Sequence, residues 1–515
     1  MNAMTGERAR TLLYAVLLAG AGLRLAWIAR PLDARLGGAP WREADYAQIA
    51  RNFQRDGGGF LHPRIDWRGD TPGFVEMEWP LLPWIAGRLP DRLGSRAVIL
   101  RTFSATLSIG SLLLFAGLAR RRLEPPAALF AVAIAALNPL LVYLSSAMQP
   151  EPLMLFLALL AVVLLLRWDE SPRPALLVGA GAALGGAILA KAPAACLGLL
   201  FAFVVLRRLG AATLRSPGVW AAALLALGPP AAWYAWAHRF YLLYGNSLGL
   251  SNESAFIGLD MLWPPAFLAG LFMWETLGVL TPAGWILLAA AALSAERRRL
   301  APILAWLAAT WIFDVAAART AADNWAFYYH SLSCEPAALL MGAGLVALAG
   351  GRFAVAGRRL PARLAGRVAF TMAVLTLAGQ AAALAVVVQR RDHDRDLHAM
   401  HACALRFAPL IPAGGSIVAR GGPLTDENGR PVAHNESMLF AWLDRTGFSY
   451  ADEELSIATL EQIARRGGHY WIADRGRVRG DFRETVRRRF RRIDHCADGY
   501  DLYDLMPAGP EDGAP

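Results

Sequence analysis

The chain has 515 residues, of which 56% are hydrophobic, with a formal charge of +10 and a mean hydropathy of +0.36. These values exclude a soluble globular domain and predict an α-helical polytopic membrane protein. The arginines are spread over short loops instead of gathered on one basic face, which excludes a nucleic-acid footprint.

In chain order, eleven apolar runs are long enough to be read as spans of roughly 17–25 residues. They cover 11–29, 97–119, 127–147, 152–166, 174–190, 194–206, 218–237, 276–294, 301–317, 334–350 and 368–388. The runs 174–190 and 194–206 are close enough to form a tight hairpin. Arg24 and Trp27 lie at the outer end of the first run, and no small-residue cleavage site follows, so a retained helix is expected. Short loops carry Arg8 and Arg10, Arg120 to Arg122, Arg167 and Arg173, Arg207, Arg208 and Arg215, Arg297 to Arg299, and the run from Arg352 to Arg367. These alternate with the spans, placing the N-terminus in the cytoplasm and both 31–96 and everything after 389 outside. The expected location is the cell (inner or plasma) membrane.

The 31–96 loop reads WREADYAQIARNF, HPRIDWRGD and VEMEWPLLPW. It holds Glu43, Asp45, Asp66, Asp70, Glu76 and Glu78 beside a bilayer, where acidic groups are costly unless used. The segment from Glu43 to Phe53 has helical apolar spacing and predicts an interfacial helix. Positions 43 and 45 cannot share a face of it. The bland alternative is a pair of helix-start carboxylates complementing the dipole.

Beyond 390 the composition turns charged and mixed. SIVAR (416–420), HYWIAD (469–474) and DGYDLYDLM (498–506) predict strands. SMLFAWLDRTG and SIATLEQIARRGG predict helices, the latter closed by glycines. A small extracytoplasmic α/β domain over 390–515 follows, with a transmembrane catalytic domain over 1–389. The arginine-rich FRETVRRRFRRID reads as a helix with a solvated face. Cys403 and Cys496 lie in the outer compartment, which permits a bridge or leaves both free. Cys196 and Cys334 fall in spans and read as packing residues.

Three further features fall at outer helix ends. Met148-Gln149-Pro150-Glu151-Pro152 sets a carboxylate between two prolines. Lys191, in AKAP, is the only lysine against fifty arginines, and such a survivor suggests a need for a compact ammonium. Asn324 to His330 is an aromatic, hydrogen-bonding run containing Tyr328. Together with the acidic loop they describe a pocket for a phosphorylated amphiphile and a polar acceptor.

WREADYAQIARNF, EMEWPLLPW, QPEPLMLF, AKAP and FYYHSLSCEPAALLMGAGL, in that order, resemble the GT-C-fold glycosyltransferases of family 39. These are relatives of protein O-mannosyltransferases and of the aminoarabinose transferase that modifies lipid A. The resemblance covers roughly residues 10–390. It implies a polyprenyl-phosphate-linked sugar donor, inversion at the anomeric carbon, an extracytoplasmic site, and a lipid, glycan or protein acceptor. Many relatives carry an Asp-Glu pair where this chain has Arg42 and Glu43, so the acidic base falls on Glu43 or Asp45. Where many have Lys-Pro-Pro-Leu, this chain has Glu78-Trp79-Pro80-Leu81. That exchange makes Glu76 and Glu78 candidate ligands for a divalent cation such as Mg or Mn. Lys191 or Arg101 would balance the leaving phosphate, Glu151 would orient acceptor or cation, and Tyr328 and His330 would contact the donor headgroup. The alternatives are a transporter or flippase, which usually places ionisable groups at mid-bilayer, and a non-catalytic scaffold. Glu275 and Asp314 are the only acids this reading assigns within or near a span.

Overall fold

The computed structural model describes residues 6–26, 28–29, 40–57, 59–253, 263–316, 327–350, 354–355, 358–359, 361–391, 395–426 and 429–506. Trp27, the loop start at 31–39, positions 324–326 of the aromatic run and the tail from 507 lie outside them. The chain forms two compact units. One comprises Met1–Ala29, Arg101–Tyr234 and Ala255–Gln389; the other comprises Arg30–Leu100, Ala235–Ser254 and Arg390–Pro515.

The first unit is helical, and a helix stands at every expected span. Among the described residues, seven helices are long and apolar enough to cross a membrane, and Pro125–Leu137 and Pro174–Ala190 are shorter apolar ones. The protein is a multi-pass membrane protein. Three spans differ in detail from the sequence reading. The run 127–147 breaks into Pro125–Leu137 and Pro139–Leu144. Asn138 causes the break: its side-chain oxygen accepts from Leu140 N (3.0 Å) and Leu141 N (3.1 Å), starting a new helix whose first residue is proline. The eighth span begins at Pro265, not 276, and passes through a π-helical turn at Glu275–Leu280. The run 194–206 becomes Leu197–Leu209, flanked by the 3₁₀ turns Ala192–Cys196 and Gly210–Arg215. Glu335 is a further buried acid in a span helix, beyond the two expected.

Helices in hydrocarbon gain little from apolar burial against one another, so close backbone approach matters more. Gly181 and Gly185 form a G-x-x-x-G stripe against the helix Pro217–Tyr244. A Cβ at Gly185 would lie 2.1 Å from the Leu225 carbonyl oxygen. Arg24 is only 1% exposed. Its guanidinium donates to Gly20 O (3.0 Å), Ala136 O (3.1 Å), Ala135 O (3.1 Å) and Ser108 Oγ (3.0 Å). Two of those carbonyls end the helix broken at Asn138, so the arginine fills acceptors the break leaves open.

In the second unit, residues 390–515 build a five-stranded sheet. Its strands are β1 (Ile417–Gly422), β2 (Gly447–Ala451), β3 (Tyr470–Asp474), β4 (Arg491–Cys496) and β5 (Tyr500–Asp504), in the order β2-β1-β3-β5-β4. β1 is parallel to β2 and β3, whereas β5 is antiparallel to β3 and β4. Helices Met438–Leu443 and Ile457–Arg465 fall where expected. Ser456 Oγ caps the latter by accepting from Thr459 N at 3.1 Å, and Gly467, at φ 98, follows its end. Trp471, Phe448, Leu460, Val486 and Tyr503 form the core. β2 and β4 were not expected. FRETVRRRFRRID divides into the helix Gly480–Arg489 and edge strand β4 instead of one helix.

Cys403 and Cys496 are bridged, with Cα atoms 5.6 Å apart and a sequence separation of 93. Replacing Cys403 with serine is expected to cost the unit about 2–5 kcal/mol. Thermal melting of the purified protein, with and without reductant, reads the loss; reductant should lower the wild-type midpoint and leave the variant unchanged.

A unit boundary falls between Gln389 and Arg390, and two earlier segments, Arg30–Leu100 and Ala235–Ser254, group with the residues beyond it. The 30–100 segment joins the α/β domain because its polar groups complete that domain. Gln48 Nε2 donates to Ser437 O (2.6 Å), Arg51 Nη1 to Ala441 O (3.1 Å), and Gly69 N to Gly447 O (2.7 Å). Arg466 forms a two-point ion pair with Asp70 at 2.9 and 2.5 Å.

Candidate active site

The acidic segment forms the helix Pro40–Arg55, as its spacing predicts, and buries Ala44, Ala47, Ile49, Ala50 and Phe53. Glu43 and Asp45 lie near its start and are each 2% exposed. Asp45 Oδ1 accepts from the indole of Trp67 at 2.9 Å, and the buried Ser437 hydroxyl lies close to this carboxylate. Burial nonetheless pushes the Asp45 carboxyl up to about 6; the bond from Trp67, the neighbouring Ser437 hydroxyl and the Arg42 charge pull the other way. Glu436, from the α/β domain, is raised by burial to about 7, with the Asp45 charge adding to the rise. Asp45 thus sits among groups drawn from three stretches of chain, of which only 436–437 gave no functional signal in the sequence.

The remaining acids of the loop have separate environments. Asp66 accepts from Arg51 (2.6 Å) and Asn52 (2.8 Å). Glu76 is fully engaged: Ser247 Oγ (2.6 Å), Ser251 Oγ (2.8 Å) and His238 Nδ1 (2.9 Å) surround its two oxygens. Glu78 is buried and 3.7 Å from Arg42. Arg42 in turn donates to Leu248 O at 2.7 Å. Glu76 and Glu78 belong to no group of three metal-competent side chains among the described residues.

In the first unit, the prolines flanking Glu151 start the helix Glu151–Glu170, and Lys191 follows the last residue of Pro174–Ala190. The Lys191 ammonium is ion-paired with Glu151. It also lies over two rings, 4.9 Å from the centroid of Tyr328 and 5.0 Å from that of Tyr329. The side-chain amide of Gln149, 1% exposed, and Oε2 of Glu151 are buried without a hydrogen-bond partner among the described residues. The ammonium and the unfilled Gln149 amide N–H are the groups here that could meet an anion. Arg101 is buried near the start of Arg96–Arg122. His330 is 1% exposed, with Nδ1 2.7 Å from Glu275 Oε2, so its Nδ1 engages a carboxylate within the bundle.

Residues 72–236 match the family model described as dolichyl-phosphate-mannose-protein mannosyltransferase. By sequence, no curated protein matches. Among solved structures, ArnT from Cupriavidus metallidurans bound to undecaprenyl phosphate superimposes with a TM-score of 0.60 at 14% identity, over 98% of this chain and 99% of that one. The Archaeoglobus fulgidus oligosaccharyltransferase tethered with an acceptor peptide gives 0.56 at 13% identity, over 98% and 75%. The archaeal AglB complex with an inhibitory peptide and a dolichol-phosphate gives 0.55 at 12%, over 90% and 69%. The chain has the GT-C glycosyltransferase fold. Within this GT-C frame, the acidic loop and the groups around Lys191 are the two polar concentrations that the sequence singled out. Trp67, Ser437, Glu436 and Gln149 are the additions it did not. Of these, Gln149 had a visible signal as part of the proline-bracketed QPEP, and Trp67 lay within the acidic loop.

Proposed function

We propose that this protein is an inverting glycosyltransferase that moves a sugar from a polyprenyl-phosphate donor to a hydroxyl acceptor on the outer face of the cell membrane. The observation that carries the reading is Asp45, a buried carboxylate held by an indole N–H with its pKa raised to about 6. That value suits a group that must accept a proton near neutral pH. The GT-C fold supports it, as do the undecaprenyl phosphate and dolichol-phosphate bound by the proteins it resembles.

In this mechanism Asp45 takes the proton from the acceptor hydroxyl as its oxygen attacks the anomeric carbon. The C–O bond to phosphate breaks on the opposite face, and the lipid phosphate leaves as a stable dianion that needs no general acid. Glu43 is the alternative base. Lys191, with Arg101 as a second cation, balances the charge on the departing phosphate. Tyr328 confines the ammonium and Glu151 orients it. Glu78 holds Arg42, and His330 supports the first unit from within. A divalent cation such as Mg or Mn at Glu76 or Glu78 remains part of the proposal. The N-terminus lies in the cytoplasm and the α/β domain outside.

The test is transfer of radiolabelled sugar from a synthetic polyprenyl-phosphate donor to a membrane acceptor pool by purified protein. A rate above background supports the reading. Transport of the intact lipid-linked sugar with no transfer would favour the flippase alternative. Addition and chelation of magnesium or manganese in the same assay test the cation.

A further inference from the structure

Three side chains in the first unit converge in a place that sugar transfer does not require. Glu275 opens the π-helical turn that interrupts the helix region Pro265–Ala292. Asp314 lies in the last turn of Arg297–Ala316, and His330 in the 3₁₀ turn Phe327–Ser333. All three are buried, at 5%, 4% and 1% exposure. His330 Nδ1 is 2.7 Å from Glu275 Oε2 and 3.8 Å from Asp314 Oδ2. One ligand atom from each lies within 4.8 Å of the other two.

Asp314 supplies the second observation. Both its oxygens are buried with no hydrogen-bond partner among the described residues, and Oδ2 is directed toward the imidazole. Glu275, by contrast, is fixed on its other oxygen by the indole of Trp311 at 2.7 Å. A buried carboxylate with unfilled lone pairs is costly and calls for a partner. A protonated histidine between two carboxylates leaves a net charge of −1 and still leaves Asp314 unsatisfied. A divalent cation with a neutral imidazole brings the group to zero and fills those lone pairs.

The donor set of one imidazole nitrogen and two carboxylate oxygens suits zinc and neighbouring first-row ions. Ligands about 2.0–2.2 Å from a tetrahedral ion lie roughly 3.3 Å from one another. The observed 2.7 and 3.8 Å bracket that spacing, so small side-chain adjustments suffice. Just beyond the π turn, Thr281 has a φ of 65, a rare conformation for a β-branched residue. π turns themselves are frequent at functional sites.

We propose that Glu275, Asp314 and His330 form a binding site for a divalent cation of the zinc class, tying together three helix breaks of the first unit. The ion takes the place of the proton between Nδ1 and Glu275 Oε2, and that proton passes to solvent. This site is separate from Glu76 and Glu78.

The test uses the full-length protein in detergent or nanodiscs and requires no sugar. Protein stripped with chelator is reloaded with Zn²⁺, desalted and measured by elemental mass spectrometry; Co²⁺ is titrated in parallel for its visible ligand-field bands. About one zinc per chain is expected, with Co²⁺ bands that Zn²⁺ abolishes. Asp314→Asn and Glu275→Gln, each checked for a monodisperse elution profile, should bind at least about tenfold more weakly. Glu76→Gln should keep the wild-type stoichiometry. Chelation should lower the wild-type melting temperature. A reloaded wild type that holds no zinc overturns the proposal, whatever the variants do. So does full binding by both monodisperse site variants, or loss of zinc in Glu76→Gln alone.

Discussion

Replacing Asp45 with asparagine is expected to lower transfer by about 10²–10⁴-fold, the range a positioned base contributes. The exchange keeps the side-chain shape, so the protein should elute and melt like wild type. The bond from Trp67 can still find the amide oxygen, while proton acceptance is lost. Wild-type activity should also depend on pH with a definite sign. Asp45 must be ionised to act, and burial raises its carboxyl to about 6. The rate should therefore be level above that value and fall about tenfold per pH unit below it. Glu436, titrating near 7, protonates first as the pH drops, so loss of its charge should precede the fall in rate. Transfer measured from pH 4.5 to 8 under saturating donor reads the fall. A wild-type rate in Asp45→Asn, with loss in Glu43→Gln instead, would move the base to Glu43.

The second large effect concerns Lys191. Lys191→Met should lower transfer by about 10²–10³-fold, the scale seen when a donor to developing negative charge is removed. Arginine should restore only part, because its guanidinium can stack on Tyr328 and Tyr329 but spreads the charge that a compact ammonium concentrates. The single exchange also leaves Glu151 as an unpaired buried carboxylate. The double variant Lys191→Met with Glu151→Gln separates these effects. It should recover the wild-type melting temperature while transfer stays low. Recovery of transfer together with stability would show that the lysine serves only to neutralise Glu151.

The membrane helices were legible in the sequence because length and apolarity alone define a span. Their interruptions were not. Alanine and leucine continue on both sides of Asn138, so nothing but one asparagine-proline step announces the break there. β4 was hidden for the opposite reason: its arginines continue the preceding helix in composition, and its burial shows no simple alternation. At the candidate site, the sequence narrowed the base to Glu43 or Asp45 but could not choose. The proposal favours Asp45 because of Trp67, 22 positions away, whose indole holds its carboxylate. The Glu275–Asp314–His330 group was still less accessible. Glu275 and His330 stand 55 positions apart, in segments that share no motif.

Arg24 has a consequence for how the chain is made. Its carbonyl partners Ala135 and Ala136 are 111 and 112 positions downstream. At about 5–20 residues per second, a ribosome needs roughly 5–20 s to supply them. Throughout that interval the first helix carries an arginine whose burial in hydrocarbon alone is unfavourable. Arg24 stands in the last turn of its helix and can reach the interface until then, so docking of this helix against Pro125–Leu137, rather than its insertion, is the late event in biogenesis.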